Sequence, residues 1–183
     1  MNIIFTSAKK TWLVILLLVV LLDQFTKKII IVNLSEFQVI TITYFFDFVR
    51  LHNKGAAFSF LSNASGWQHW FFLIVGITVS IGIAYWIAKL PSKGKGILIA
   101  ALFLVLAGAI GNIIDRLIYG HVIDFLSFHY KGWYFPAFNV ADSSITLGAI
   151  LILLDSYLEN KIEHHKKNNK KKITKKKITK KNK

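Results

Sequence analysis

The chain has 183 residues, of which 54% are apolar and 14% aromatic, and its formal net charge is +14. The apolar residues fall in long blocks, which leaves little room for a water-soluble core and indicates a single-domain integral membrane protein. Because the sequence contains no cysteine, disulfides, thiolate metal sites and cysteine nucleophiles are excluded.

Four apolar blocks are long enough to cross the hydrocarbon core of a membrane, which is roughly 30 Å thick. The first block follows two lysines and continues past Asp23 without a small-residue cleavage site, so we interpret it as an uncleaved span and not as a signal peptide. The second carries aromatic residues at both ends, as is typical of a membrane interface. The predicted spans are about residues 12–32, 67–88, 97–115 and 139–158.

Basic residues near the ends of the spans predict their orientation. With four spans, the N-terminus, the loop at residues 90–96 and the C-terminus lie on one side, and all three are rich in lysine. Since short cytoplasmic segments are enriched in lysine and arginine, we expect both termini in the cytosol. Residues 23–66 and 116–138 then face outward.

Two outer segments do not have a helical pattern. Around residues 37–60, threonine alternates with isoleucine in "QVITITYFF", and a second strand-like stretch runs to a turn at Asn53, Lys54 and Gly55. We expect a small extracytoplasmic antiparallel β-sheet there. Residues 125–138 are very aromatic, and we expect them to lie in the interface. The predicted fold is an all-α membrane protein with four spans, this sheet and an interfacial aromatic segment.

The C-terminal segment 161–183 contains twelve lysines and one acidic residue. Its high charge and few apolar residues predict a disordered cytoplasmic tail outside the single membrane domain of residues 1–160. Contact with anionic lipid headgroups is the functional interpretation, at about 1 kcal/mol per basic residue near the surface. Nucleic-acid binding is disfavoured because no aromatic residues are interleaved to stack on bases.

Polar side chains inside or beside the spans collect near the predicted outer face. They are Asp23, Lys27, Asn112, Asp115, Arg116, Asp124, Asn139 and Asp142. Ionisable residues are costly at this depth and often mark functional sites. For Asp115 and Arg116 we favour a structural ion pair. For Asp23 and Lys27, which are four residues apart on a helical face, we favour an ion pair or a contact to a neighbouring loop.

Asp124 and Asp142 have no basic residue at helical spacing. One follows the third span and the other opens the fourth, so antiparallel packing would bring them together. Two carboxylates in a partly dry site share a proton, which supplies a general base and a general acid around one water molecule. Peptide hydrolysis by an aspartic mechanism needs this arrangement. The alternative for Asp142 is a cap at the positive end of the fourth helix.

Other chemistries have weaker support. No G-x-S-x-G motif occurs. His121, Asp124 and His129 could bind zinc, but the histidines are eight residues apart and no H-E-x-x-H is present. A small carboxylate-dependent transporter is the second functional candidate, although no inverted repeat is visible. A membrane scaffold with a basic tail is the third, and it leaves the carboxylate cluster unexplained.

Five short motifs occur in a fixed order along the chain. They are "DQFTK" at residues 23–27, "NKGAAFSF" at 53–60, "AGAIGNIIDR" at 107–116, "VIDF" at 122–125 and "FNVADSSI" at 138–145. Over about residues 11–158, the sequence resembles the bacterial lipoprotein signal peptidases, also called signal peptidase II. The resemblance implies an aspartic endopeptidase of the bacterial inner membrane that removes the signal peptide from a diacylglyceryl-modified prolipoprotein, just before the lipid-modified cysteine.

The resemblance also implies roles for individual residues. Asp124 and Asp142 match the family's catalytic pair, which the antibiotic globomycin would be expected to occupy. Ten further positions match motif residues expected to support the site or the substrate backbone: Asp23, Lys27, Asn53, Gly55, Gly108, Asn112, Asp115, Arg116, Asn139 and Ala141. We expect a monomer that requires no metal or organic cofactor. The third motif departs from the family in opening with Ala107-Gly108, where two glycines are usual.

Overall fold

The computed structural model describes residues 7–55, 67–91 and 94–181. Within these ranges, the chain forms four helices and four strands. In chain order, they are α1 (Ser7–Asn33), β1 (Val39–Thr43), β2 (Phe46–Asn53), α2 (Trp67–Lys89), α3 (Gly96–Tyr119), β3 (Val122–Tyr130), β4 (Trp133–Tyr134) and α4 (Val140–Lys181). The helices therefore lie where the apolar blocks of the sequence predicted them.

Three helical segments of the described chain are long and apolar enough to cross a membrane: α2, α3 and the Val140–His165 part of α4. These segments make the chain an integral membrane protein. Helix α1 is not among them because its apolar run is interrupted by charged residues. These residues are Lys9, Lys10, Asp23, Lys27 and Lys28. The prediction of four spans is thus confirmed for three helices and stays a prediction for α1.

The strands form one antiparallel array in the order β1-β2-β3-β4, as the sequence predicted for the outer segment. Strand β2 ends at Asn53, where the pattern placed a turn, and Gly55 has a φ of +107°, which favours glycine. Pairing of β2 with β3 sets Leu51 opposite Asp124. Residues 56–60 of the predicted β segment, and with them most of the "NKGAAFSF" motif, lie outside the described residues.

The aromatic segment at residues 125–138 was expected to lie in the membrane interface, and this placement stays a prediction, but the strands within the segment were not predicted. Most of it belongs to β3 and β4, which pair through Tyr130 and Trp133. The two residues between them, Lys131 and Gly132, both have positive φ (48° and 84°), as in the tight turns that match the twist of a hairpin. The sequence signal was hidden because Lys-Gly is a weaker turn marker than Asn-Gly or Asp-Gly.

Helix α3 lies at the centre of the helical part, with the other three helices packed against it. Its buried face carries leucine, isoleucine, phenylalanine and alanine, and Ala101 and Leu102 are almost fully enclosed. A second apolar cluster of Ile30, Leu34, Ile123 and Phe125 fastens the end of α1 to β3. The sheet and the helices therefore share their packing at the end of the bundle where the polar residues collect.

Helices α3 and α4 approach each other to backbone contact. A Cβ atom at Gly108 would lie 2.2 Å from the carbonyl oxygen of Ala141, and one at Gly148 would lie 2.7 Å from that of Ala101. Between them, the Ser144 hydroxyl donates a 2.7 Å hydrogen bond to the carbonyl of Leu104. Because these contacts leave no room for larger side chains, they set the position of the α4 N-terminus against α3.

The structure continues α4 to Lys181, whereas the sequence predicted a disordered tail over residues 161–183. The segment contains no glycine or proline, and lysine is a good helix former. An ion pair one turn apart, between Glu163 and Lys167 at 3.5 Å, also favours helix. Charge and low hydropathy indicate the absence of a packed core, but they do not prevent an extension of an existing helix.

We predict that Gly108→Ala destabilises the protein, since its methyl group would press on the backbone of α4. Overpacking of this kind costs about 1–3 kcal/mol. The thermal unfolding midpoint in detergent should therefore fall by several degrees. The matched control is Gly82→Ala, a helical glycine where a Cβ meets no atom within 4 Å. Its midpoint should stay equal or rise, and equal midpoints for both variants would contradict the predicted contact.

Candidate active site

A buried lysine lies at the centre of the polar cluster. The Lys27 ammonium contacts Asp23 Oδ2 at 2.7 Å and Asp115 Oδ2 at 2.8 Å, and it donates to Asn112 Oδ1 at 3.2 Å. Asp23 and Asp115 are both 0% exposed and Lys27 is 1% exposed. The predicted Asp23–Lys27 ion pair is thus confirmed, and Asp115 joins it from α3.

Each of these two acids also holds a backbone amide just before one of the aspartates of the predicted pair. Asp115 Oδ2 accepts from the backbone N–H of Ile123 at 3.1 Å, one residue before Asp124. Asp23 Oδ1 accepts from the backbone N–H of Ala141 at 2.8 Å, one residue before Asp142. The ion cluster therefore positions the start of β3 and the start of α4 relative to each other.

The side chain of Asn139 connects the predicted catalytic residues directly. Its Nδ2 donates to Asp124 Oδ1 at 2.8 Å, and its Oδ1 accepts from the backbone N–H of Asp142 at 2.8 Å. Asn139 is the N-cap of α4, so the alternative in which Asp142 is the cap is wrong. Asp142 instead occupies the first turn, near the positive end of the helix dipole.

Two further asparagines donate to these carboxylates. Asn112 Nδ2, from α3, lies 2.7 Å from Asp142 Oδ1, and Asn53 Nδ2, from the end of β2, lies 2.9 Å from Asp124 Oδ2. Asn53 also accepts the backbone N–H of Gly55 at 2.8 Å, which fixes its amide group. The three amides are neutral donors, so they orient the carboxylates without adding a positive charge.

Burial raises the pKa of Asp124 to about 7, and the nearby Asp142 carboxylate acts in the same direction. Hydrogen bonds from Asn53 and Asn139 oppose the shift, since they stabilise the ionised form. A carboxyl group with a pKa in this range can exchange a proton near neutral pH. Asp124 and Asp142 therefore form a coupled pair that can hold a base and an acid together.

Arg116 does not form the ion pair with Asp115 that the sequence favoured. Its Nη1 donates weakly to the carbonyl of Asn112 at 3.3 Å, and its guanidinium lies over the Phe72 ring, 5.7 Å from the centroid. The Phe72 ring also packs against Gly55, where a Cβ would come within 2.1 Å of it. The local reason is that Asp115 faces Lys27 and β3, while Arg116, the next residue along α3, faces α2.

The residues of the alternative zinc site are separated. The His121 ring stacks on His52 with the centroids 3.9 Å apart, whereas His129 Nε2 lies 3.1 Å from Oδ2 of the buried Asp47. Across the described ranges of the chain, no three side chains of histidine, cysteine, aspartate or glutamate are placed to hold a metal ion together. Burial lowers the pKa of His121, which keeps this ring neutral near pH 7.

Sequence reasoning missed one member of the cluster, Gln24. Its Nε2 lies 2.9 Å from Asp115 Oδ1, 3.2 Å from Asp23 Oδ2 and 3.2 Å from the carbonyl of Gly111. Its place beside Asp23 in "DQFTK" was the available signal. Gln24 is uncharged and lies on α1 between the exposed apolar residues and the buried polar ones. Helical periodicity alone therefore does not mark it as functional.

Comparison with known proteins gives a consistent result. A sequence profile of the family described as signal peptidase (SPase) II matches residues 15–158. A lipoprotein signal peptidase from Burkholderia vietnamiensis is 48% identical over 151 residues, which cover 82% of this chain and 89% of the relative. One from Pseudomonas aeruginosa is 46% identical over 152 residues, with the same coverage of both chains.

Two solved structures, both described as bacterial membrane enzymes, have a similar fold. The first, at 2.3 Å resolution, gives a TM-score of 0.71 with 35% identity and covers 83% of this chain and 90% of its own. The second, at 1.9 Å resolution, gives 0.69 with 36% identity and covers 79% and 91%.

The raised pKa of Asp124 predicts how stability depends on pH. Between the ordinary value of 3.8 and about 7, the folded protein keeps a proton that the unfolded chain has released. The free energy of unfolding should therefore decrease as pH rises through this window, by about 3 kcal/mol over two pH units at most.

We expect the thermal midpoint of the wild type to fall by several degrees between about pH 5 and pH 7. In Asp124→Asn, which cannot titrate, the decrease should be clearly smaller. Differential scanning fluorimetry in detergent measures the thermal midpoints of the two proteins. Asp47→Asn is a control, because Asp47 is a buried acid elsewhere in the sheet. If the thermal midpoints of the wild type and Asp124→Asn changed equally with pH, the raised pKa of Asp124 would be contradicted.

Proposed function

Because this chain belongs to the signal peptidase II family and is a protease that cleaves lipoprotein signal peptides, we propose that Asp124 and Asp142 activate the attacking water. In the singly protonated pair, the carboxylate takes a proton from water while the carboxylic acid donates to the scissile carbonyl oxygen. The tetrahedral intermediate then collapses as the amine leaving group receives a proton from the pair.

One observation carries this proposal: the single side chain of Asn139 is hydrogen bonded both to Asp124 and to the backbone of Asp142. The separate donors Asn112 and Asn53 support it, because each orients one carboxylate. A pair held in this way needs little reorganisation during the reaction, which is the main source of electrostatic catalysis. The relatives compared above are lipoprotein signal peptidases, and no observation favours the transporter alternative.

The proposed substrate is a diacylglyceryl-modified prolipoprotein, cleaved just before its lipid-modified cysteine. Such a substrate lies in the membrane and would reach the pair from the side, between the helices. The side of α1 that faces away from the other helices offers apolar surface for this approach, since Leu21 and Phe25 are each 64% exposed. Binding energy from the acyl chains can then hold the scissile bond at the pair. Globomycin is proposed to occupy the same place.

We further propose a monomer with four spans in the bacterial inner membrane, both termini in the cytosol and the aspartate pair near the extracytoplasmic face. The contacts of α1 support the fourth span. Its two central charges, Asp23 and Lys27, are neutralised inside the protein, so the cost of placing them in a membrane is reduced. The lysine-rich segment after Asn160 is proposed to contact anionic lipid headgroups on the cytosolic side.

The first test replaces each aspartate separately. In Asp124→Asn and Asp142→Asn, kcat should fall by about 10²–10⁴-fold or more, since each variant lacks a general acid or base. Cleavage of a purified lipid-modified prolipoprotein in detergent is followed on gels. Asp155→Asn is the matched control, because Asp155 is a buried acid on the same helix, thirteen residues further along α4. It should cleave at the wild-type rate.

Both inactive variants must elute as folded, monodisperse protein, so that lost activity is not lost structure. Normal cleavage by either folded variant would remove the aspartate pair from the mechanism.

The second test removes the chain after Asn160. Because this segment lies at the opposite end of α4 from Asp142, cleavage in detergent should stay near the wild-type rate. The Lys95–Glu159 ion pair remains in the shortened protein. A loss of activity comparable to that of the aspartate variants would show that the segment contributes to the site.

A further inference from the structure

Gln24 makes a second connection between the two acids of the ion cluster. Its Nε2 lies within hydrogen-bond distance of Asp115 Oδ1 at 2.9 Å and of Asp23 Oδ2 at 3.2 Å. The ammonium of Lys27 contacts the Oδ2 atoms of the same two residues. Asp23 and Asp115 are therefore bridged twice, once by a cation and once by a neutral amide.

The two bridges act on different oxygens of Asp115. Its Oδ2 receives both Lys27 and the backbone N–H of Ile123, while its Oδ1 is held by Gln24. An ammonium group is a compact charge with freely rotating donors, so it does not fix the plane of a carboxylate. A hydrogen bond to the second oxygen does fix the plane. Gln24 thereby sets the direction in which Oδ2 meets Ile123.

The fit around Gln24 supports a built contact. Its Nε2 also reaches the carbonyl of Gly111 at 3.2 Å. Gly111 has no side chain, and a Cβ there would lie 2.6 Å from Asp23 Oδ2. The glycine thus makes room for α1 to bring Asp23 and Gln24 against α3. Gln24 itself is half-buried, so solvent competes only in part for its amide.

We propose that Gln24 is a positioning residue for cleavage. By holding Asp115, it fixes the backbone just before Asp124 and therefore the separation of Asp124 from Asp142. This role rests on the proposed function of Asp124 and Asp142. Gln24 makes its hydrogen bonds to Asp23, Asp115 and Gly111, and not to Asp124 or Asp142. Its effect should appear in the chemical step, because misplacing reacting groups by about 1 Å can cost as much as 10²-fold in rate.

The experiment uses Gln24→Met and Gln24→Glu in the full chain, with steady-state cleavage of a lipid-modified prolipoprotein in detergent. Methionine fills a similar volume without a donor, and kcat should fall about tenfold or more while KM stays near the wild-type value. Glutamate can donate to Asp115 only when protonated. Its activity relative to Gln24→Met should therefore rise as pH is lowered from about 8 to about 6.

Thr26→Val is the matched control. Thr26 is also half-buried on α1, but its hydroxyl donates only within the helix, to the carbonyls of Leu22 and Asp23. Its kcat should equal that of the wild type. A residue that serves stability alone would lower the thermal midpoint in Gln24→Met without lowering kcat or creating a pH-dependent ratio.

Wild-type kcat in folded Gln24→Met would overturn the proposal, as would a pH-independent ratio between the two variants. If Gln24→Met does not fold, the ratio of Gln24→Glu to wild type across the same pH range decides in its place. The proposed function is tested separately. Cleavage by Asp124→Asn would contradict the catalytic role of Asp124 and Asp142. An inactive Asp124→Asn together with a fully active Gln24→Met would contradict only the positioning role of Gln24.

Discussion

The site depends on the burial of one positive charge, that of Lys27. A buried ammonium is tolerated only when its charge is paired and its donors are used, and breaking such a pair costs about 3–5 kcal/mol. Asp23 and Asp115 meet this need from two different helices. Because each also holds a backbone amide, the requirement to neutralise one lysine places α1, α3, β3 and α4 in a single arrangement.

This arrangement also influences the protonation of Asp124. Lys27 lowers the pKa of Asp124, but its charge is shared with Asp23 and Asp115, and burial raises the pKa of Asp124 by more. The groups that touch these carboxylates are asparagine amides, which are neutral. The raised pKa lets Asp124 retain a proton near neutral pH, and a retained proton is what the proposed combination of a base and an acid requires.

The helix packing has a direct consequence for the same chemistry. Gly108 and Gly148 let α4 approach α3 to backbone contact, which brings Asn139 and Asp142 within reach of Asn112. The N-terminus of α4 is then capped twice, by Asn139 from its own chain segment and by Asp23 from α1. Small residues and caps thus set the distances between Asn112, Asn139 and Asp142, although none of them need touch the substrate.

The sequence by itself determined the positions of the helices, the strand that ends at Asn53 and the Asp23–Lys27 pair, and it singled out Asp124 and Asp142. Hydrophobic blocks, strand alternation, helical spacing and ordered motifs are local signals, so they can be recognised without the tertiary structure. It could not determine that Asp115 pairs with Lys27 and not with Arg116, or that Gln24 bridges the two acids. Nor did it show that residues 125–134 join the sheet. Those outcomes depend on which faces of α1, α3 and β3 meet, and only the packed tertiary structure decides which buried partner each polar atom finds.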